Sequence, residues 1–219
     1  GTFLKKAPRR VRKGECHVMA ITLTTVKGEQ LQRYIADLAR LRIQVFRDYP
    51  YLYDGDEAYE QEYLHTYIAS GQAMAVLALD DRLPVEQQVI GASTGVPMSH
   101  EDEAFKVPFT RAGINPETLF YCGESVLLPE YRGQGIYKGF FAGRENYVRE
   151  LGGFKEICFC GVQRSDDHPL KPEGYQPLDE VWRHFGYQPR PDLMTDYPWK
   201  DIDQPESTDH PMMFWIKTL

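Results

Sequence analysis

Residues 125–138 read Ser125-Val126-Leu127-Leu128-Pro129-Glu130-Tyr131-Arg132-Gly133-Gln134-Gly135-Ile136-Tyr137-Lys138. An apolar run ends at Pro129, and two glycines follow within a short turn. From Gly135 to Leu151 the apolar residues Ile136, Phe140, Phe141, Tyr147, Val148 and Leu151 fall on or near one helical face. Strand, glycine-rich turn and helix in that order leave unpaired backbone N–H groups and the positive end of a helix dipole at the turn. Such a place binds phosphate or pyrophosphate without needing side chains. Gly133 and Gly135 let the backbone approach a ligand closely, and Arg132 and Lys138 add positive charge. Two nucleotide motifs are excluded. The P-loop pattern G-x-x-x-x-G-K-S/T is absent, and a dinucleotide fingerprint would need glycine where Lys138 stands.

Outward from this segment, strands and helices alternate irregularly. Leu119 to Leu128 reads as one strand, and Glu156 to Val162 as another. Upstream, Ile21 to Val26 alternates apolar and Thr residues as a strand, and Glu29 to Arg47 has helical spacing. An aromatic loop, Tyr49 to Gly55, precedes a second helix that ends near Gly71. Ala73 to Leu79 and Val89 to Val96 form a hairpin, and Ser99 to Glu117 is expected to be a loop or short-helix insertion. Downstream, Gln163 to Pro177 is irregular, Leu178 to Phe185 is a short helix stopped by Gly186, and Met212 to Lys217 closes as a strand after a Pro- and Asp-rich tail. Early hairpin strands with a late β-α-β-α unit predict a mixed α/β sheet without internal repeats.

The 219 residues carry 25 basic and 32 acidic side chains, a net charge of −7. This total hides an asymmetry. Lys5, Lys6, Arg9, Arg10, Arg12 and Lys13 give residues 1–13 a charge of +6, and the remainder carries −13. The arm reads either as a nucleic-acid or membrane contact or as a disordered leader or expression remnant. Gly1 at the start and Met19 at the first strand-like run favour the latter, so residues 1–18 are expected to lie outside the fold and 19–219 to form one domain. The acidic body argues against a nucleic-acid binder, and no apolar run approaches the roughly 18 residues of a membrane span. The four cysteines, Cys16, Cys122, Cys158 and Cys160, form no C-x-x-C pair. They are expected to be reduced thiols in a cytoplasmic protein, and no metal site is expected.

The 125–138 segment resembles the acetyl-CoA signature of the GNAT acetyltransferase superfamily, Gln/Arg-x-x-Gly-x-Gly/Ala. Arg132 matches the first position and Gly135 the fourth, while Tyr137 stands where Gly or Ala is usual. The preceding V-L-L-P-E-Y-R-G and the order of elements over residues 20–217 also match. The resemblance implies an α/β (α+β) fold, a single domain with a mixed, splayed sheet flanked by helices. It implies that the pantetheine arm of acetyl-CoA lies in a V-shaped gap. There Ser125, Val126 and Leu127 would offer backbone groups to the arm, and Arg132, Gly133, Gln134, Gly135, Ile136, Tyr137 and Lys138 would surround the pyrophosphate. Strand-edge amides suit pantetheine amides as they would suit another strand.

Acetyl transfer to an amine needs a base for the ammonium, a donor for the oxyanion, and relief for the leaving thiolate. Glu124 is the acid within the signature strand. It reads either as general base or ammonium anchor, or as a salt-bridged rim carboxylate. Strand alternation puts it on one face with Cys122 and Val126. The resemblance also implies a Tyr acid four residues before a closing Gly-aromatic pair. Gly186-Tyr187 is that pair, so Trp182 occupies the position and cannot donate a proton. Tyr175 is the remaining candidate acid, unless the thiolate leaves unassisted. Tyr51, Tyr53 and Cys122 are candidate acceptor contacts, and the tyrosines suit a cationic or apolar amine. Arg42 and Arg47 read as contacts for an acidic acceptor or as solvated surface charge. The functional expectation is an acetyl-CoA-dependent N-acetyltransferase of a small-molecule amine, working as a monomer or homodimer. The alternative is a non-catalytic CoA-binding module of the same fold.

Overall fold

The computed structural model describes residues 15–18 and 20–219. Its strands are β1 (Glu15–Val18), β2 (Ile21–Lys27), β3 (Met74–Asp80), β4 (Val89–Pro97), β5 (Leu119–Tyr121), β6 (Ser125–Leu127), β7 (Glu156–Val162), β8 (Gln188–Lys200) and β9 (Ser207–Thr218). The helices are α1 (Ile35–Phe46), α2 (Glu57–Ile68), α3 (Glu103–Arg111), α4 (Ile136–Leu151) and α5 (Asp179–His184). One sheet runs in the order β1-β2-β3-β4-β5-β7-β9-β8, with β6 beside β4. The β5–β7 pair is parallel and the other ladders are antiparallel.

β4 is buried at every position because both faces of the sheet are covered there. Helix α4 covers one face at short range. A Cβ at Gly139 would come within 2.1 Å of the Leu23 side chain, and one at Gly143 within 2.6 Å of Val76. The glycines therefore set how closely this helix sits on β2 and β3. Helix α1 packs against β4 and β6 on the opposite face, burying Ile35, Leu38, Ala39 and Leu41. Asp56 caps α2 by accepting the Tyr59 N–H at 2.9 Å, and Asp102 caps α3 through the Ala104 N–H at 3.0 Å.

Several expectations are corrected here. The Leu119–Leu128 run is two strands, not one. Tyr121 pairs with Val96 and Ser125 with Ser93, so three residues, Cys122, Gly123 and Glu124, stand opposite two, Thr94 and Gly95. The extra residue is a β-bulge, which bends the strand and interrupts alternation. Beyond the Cys122 N–H bond to Cys158 O at 2.8 Å, β6 pairs with β4 and has no ladder to β7. The sheet splays open at that point. The Pro- and Asp-rich tail forms the long β8–β9 hairpin, in register from Met194↔Met213 to Lys200↔Ser207. Pro189, Pro191 and Pro198 are tolerated because β8 is an edge strand. The 99–117 insertion contains α3, and the helix expected from Glu29 begins as a 3₁₀ turn over Gly28–Tyr34. Residues 15–18, assigned to the leader, form the edge strand β1 against β2. The basic arm of residues 1–13 and Met19 lie outside the described residues.

Candidate active site

The splay between β6 and β7 leaves one edge of β6 unpaired. The Thr94 N–H donates to Glu124 O at 2.9 Å and the Leu128 N–H to Ile90 O at 3.1 Å, which fixes the phase of the ladder. Val126 therefore turns its backbone groups to Ala92 on β4, while Ser125 and Leu127 turn theirs into the gap. This corrects the grouping of Val126 with its two neighbours. Leu127 O is partly engaged, accepting from Arg132 Nη2 at 3.2 Å.

At the mouth of the gap, Gly133 and Gly135 hold φ values of +78° and +79°, with no atom within 4 Å of where a Cβ would stand. Gly135 is the N-cap of α4 and has no side-chain cap; the first helical bond runs from Gly139 N–H to Gly135 O. The N–H groups of Ile136, Tyr137 and Lys138 thus lack intrahelical acceptors and face open space at the positive end of the helix. The turn is braced from below. Tyr131 donates its hydroxyl to Asp80 Oδ2 at 2.7 Å, and Arg82 forks onto the same carboxylate at 2.8 and 2.9 Å. The Arg82 hydrogen bond holds the Asp80 carboxyl well below the usual range.

Two cavities meet at the bulge. A smaller one, about 100 Å³, is lined by Cys122–Ser125, by Tyr137, Phe141 and Arg144 of α4, and by Val181 and Trp182 of α5. A larger one, about 300 Å³, is lined by Arg42, Tyr53, Tyr59, Glu60, Tyr63, Phe105, Tyr121 and the β8–β9 hairpin. Phe46, Tyr51, Gly123 and Cys160 line both, so the two open toward one another.

No family model matches this sequence, and no curated protein sequence matches it. Solved structures do. The chain is similar to a protein of Acinetobacter baylyi assigned to the acetyltransferases, at a TM-score of 0.60 and 10% identity over 92% of this chain and 94% of that one. Arabidopsis thaliana NAA60 in complex with acetyl-CoA matches at a TM-score of 0.58 and 13% identity, over 91% and 98%. A GNAT-family acetyltransferase of Staphylococcus aureus matches at 0.50 and 13%, over 90% and 99%. The fold is that of the GNAT acetyltransferases. The smaller cavity adjoins the gap and its glycine-rich mouth, and the larger cavity opens beside it toward α1 and α2.

Glu124 lines the smaller cavity next to Gly123, where the two cavities meet. Its side chain is 1% exposed, and Oε2 lies 2.7 Å from Arg42 Nη1. Arg42 also contacts Glu60 through Nε at 2.5 Å, and Tyr53 donates its hydroxyl to Glu60 Oε1 at 2.6 Å. Glu124 Oε1 is buried without a hydrogen-bond partner, as are Thr94 Oγ1 and the Tyr67 hydroxyl near Gly123. Burial raises the Glu124 carboxyl above its ordinary value; Arg42 works against the rise and Glu60 adds to it. Glu124 is thus salt-bridged, but buried and not at a rim; its Oε1 is outside the ion pair, with the Thr94 hydroxyl beside the carboxylate.

Cys122, expected on the same face and among the acceptor contacts, lines the smaller cavity and not the larger one. The bulge turns Glu124 to Arg42 on α1, while Cys122 lies near Arg144 of α4. Burial pushes the Cys122 thiol up to about 11, so it is a packed thiol at neutral pH. Tyr51 and Tyr53 both line the larger cavity. Tyr175 stacks edge-on against Tyr49, at 4.8 Å between ring centroids, and lines neither cavity. Trp182 lines the smaller cavity and packs on Phe159 at 4.9 Å.

The structure adds residues that the sequence did not single out. Arg42 was read as surface charge or as a contact for an acidic acceptor, but it is bound to two carboxylates of its own chain. Arg164, in the irregular stretch after β7, forks onto Asp201 at 2.9 and 2.8 Å and donates to Pro50 O at 2.7 Å and Tyr51 O at 2.8 Å. Trp199 Nε1 also donates to Tyr51 O, at 3.0 Å, while its ring stacks on His210 at 3.7 Å. This network ties the aromatic loop to the β8–β9 hairpin and fixes Tyr51 at the junction. The sequence offered no signal for it, because the loop lies more than a hundred residues from Arg164 and Trp199.

Proposed function

We propose that this protein is an acetyl-CoA-dependent N-acetyltransferase of a small cationic amine, acting in the cytoplasm. The observation that carries the proposal is the placement of Glu124: it lines the smaller cavity, read as the donor side, next to Gly123, where that cavity opens to the larger aromatic one, read as the acceptor side, and its Oε1 is outside the Arg42 ion pair. The donor residues suit acetyl-CoA. The uncapped N–H groups from Ile136 to Lys138 would bind its pyrophosphate, and the free edge at Ser125 and Leu127 its pantetheine amides. When bound, acetyl-CoA supplies an activated acyl thioester. The enzyme's residues do the rest. Glu124 accepts the proton that the ammonium must lose, and Tyr51 and Phe46 shield the junction from water.

The acceptor cavity supports a cationic amine of modest size. It is walled mainly by aromatic rings, whose faces attract cations. Beneath it, one guanidinium serves two buried carboxylates, which leaves the Arg42–Glu60–Glu124 cluster with one net negative charge. An ammonium would balance that charge. Thiols held protonated by burial at Cys122, Cys158 and Cys160 support a reducing cytoplasmic setting.

Thiol release from acetyl-CoA, measured against a panel of small amines, tests the proposal. Cationic aromatic or alkyl amines should give CoA release, and acidic amines should not. A second reading, a CoA-binding module without catalysis, is favoured by Trp182 and by the half-buried Tyr137 in the donor cavity. Under it, acetyl-CoA raises the melting temperature but no amine releases thiol.

A further inference from the structure

Arg144 is the second buried arginine at this junction, and its situation is the reverse of that of Arg42. It is 2% exposed and lies in the middle of α4, beside the Gly143 contact with β3. Its Nη1 donates to Ser93 Oγ at 2.9 Å and Ser125 Oγ at 2.8 Å, a cross-strand pair of hydroxyls. Its Nε and Nη2 are buried without a hydrogen-bond partner. Among the described residues no carboxylate forms an ion pair with it; the adjacent Glu145 is bound by Lys217 and Arg149. A buried guanidinium without a counter-charge is costly, and an anion is what would repay that cost.

Among the described residues Arg144 is the only cation lining the donor cavity. The titratable groups around it are Glu124, Cys122, Cys160, Tyr51 and Tyr137 of the cavity lining, the buried Tyr187 hydroxyl beside the guanidinium, and Glu145, which Lys217 and Arg149 bind. Burial raises both thiols and the three phenols, so each is a poor proton donor to a leaving thiolate, and Glu124 is taken as the base. Trp182 fills the position where the family resemblance calls for a tyrosine acid. We propose that Arg144 stabilises the leaving thiolate of the donor thioester, as a fixed cation with two unpaired guanidinium nitrogens, Nε and Nη2, in place of a proton donor. The inference rests on the acetyl-CoA reading above. As the carbon–sulfur bond breaks, its electron pair goes to sulfur and the guanidinium keeps all its protons. The ammonium nitrogen loses two protons: Glu124 takes the first before attack, water takes the second as the tetrahedral adduct collapses to the amide, and the thiolate takes a proton from water after release.

The test titrates the thiol of bound CoA by thiolate absorbance and compares binding of CoA with desulfo-CoA, which lacks the sulfur. In the wild-type protein the bound thiol should titrate about one pH unit or more below free CoA. CoA affinity should rise with pH over that range while desulfo-CoA affinity stays flat. Arg144→Gln should return the thiol toward its free value with desulfo-CoA binding retained, and Arg144→Lys should keep part of the shift. A wild-type thiol that titrates as it does in solution overturns the proposal, as does a shift unchanged in Arg144→Gln. Should Arg144→Gln fail to fold, the wild-type comparison of CoA with desulfo-CoA decides alone. Failure of desulfo-CoA to bind the wild type would instead remove the acetyl-CoA reading itself, and is distinct from a bound but unshifted thiol.

Discussion

Arg42 holds Glu60 and Glu124 at once, with Nε 2.5 Å from Glu60 Oε2 and Nη1 2.7 Å from Glu124 Oε2. Glu60 belongs to α2 and Glu124 to the bulge, so one side chain of α1 links the helix pair to the splayed strand. Its guanidinium also lies over the Tyr63 ring at 4.9 Å and the Phe46 ring at 5.4 Å. The arginine is thus pinned from both sides, and it determines how basic Glu124 is.

Arg42→Met leaves two carboxylates buried without their cation. Breaking a buried pair in this way costs about 3–5 kcal/mol, so the melting temperature should fall by many degrees. The surviving Glu124 loses the charge that favours its ionised form, and its pKa rises further. Because the base works ionised, the acid limb of the kcat/KM–pH profile should move to higher pH. An unmoved limb in a folded variant would disconnect Arg42 from the base.

Glu124→Gln removes the proton acceptor and keeps the shape. Turnover should fall by about 10²–10⁴-fold, the usual worth of general base catalysis, and the acid limb should vanish. Acetyl-CoA affinity, measured by calorimetry, should be unchanged, since the donor cradle is built from backbone groups at Gly133 to Lys138.

Gly135→Ala tests that cradle. The position is left-handed at φ +79°, and nothing crowds the missing Cβ. The cost is therefore backbone strain of about 1–2 kcal/mol and not a clash. Relief of that strain would turn the N–H groups of the first helical turn away from the donor. Affinity for CoA should drop about tenfold with KM for the amine little changed; equal affinity in the variant would mean that this turn does not hold the pyrophosphate.

Arg164→Met releases the aromatic loop. Pro50 O, Tyr51 O and the buried Asp201 carboxylate would lose their shared donor. KM for the amine should rise severalfold as Tyr51 loosens at the junction, while CoA binding holds. A rise in CoA dissociation constant without a change in amine KM would contradict this division of labour.

Glu101 gives a pH-dependent stability signal. Burial pushes its carboxyl up to about 7; Glu124 and Asp102 add to the rise, while the Asp102 N–H and Arg42 oppose it. Oε2 is buried without a partner. The folded state therefore binds this proton more tightly than the unfolded chain, and stability falls as pH rises from about 4.5 through 7. The loss is on the order of 1–3 kcal/mol, and it is complete above 7. Glu101→Gln should flatten the melting temperature across this interval and raise it at pH 8. A variant with the wild-type slope would assign the pH dependence elsewhere.

Much of the fold was legible because local patterns and global packing agree. The alternation of Ile21–Val26, the apolar runs of β3, β4 and β7, and the helical spacing of α4 all fell in their observed elements. The bulge escaped notice because Cys122-Gly123-Glu124 has the composition of a continuing strand, and its extra residue exists only relative to Thr94 and Gly95 on β4. The β8–β9 hairpin escaped because the β8 prolines are tolerated on an edge strand, a property of sheet position and not of local sequence.

The glycine-rich turn after an apolar strand determined by itself that a backbone anion cradle opens α4. The required φ values and the uncapped helix start are local properties of Gly133 and Gly135. The sequence also marked Glu124 as a carboxylate in apolar surroundings. Only the tertiary structure decided what that carboxylate faces. One extra residue in the strand turns it to Arg42 on one side of the sheet and leaves Ser125 to Arg144 on the other. The charges that tune this site come from α1, α2 and α4, brought together across the sheet by burial, and no spacing along the chain encodes their meeting.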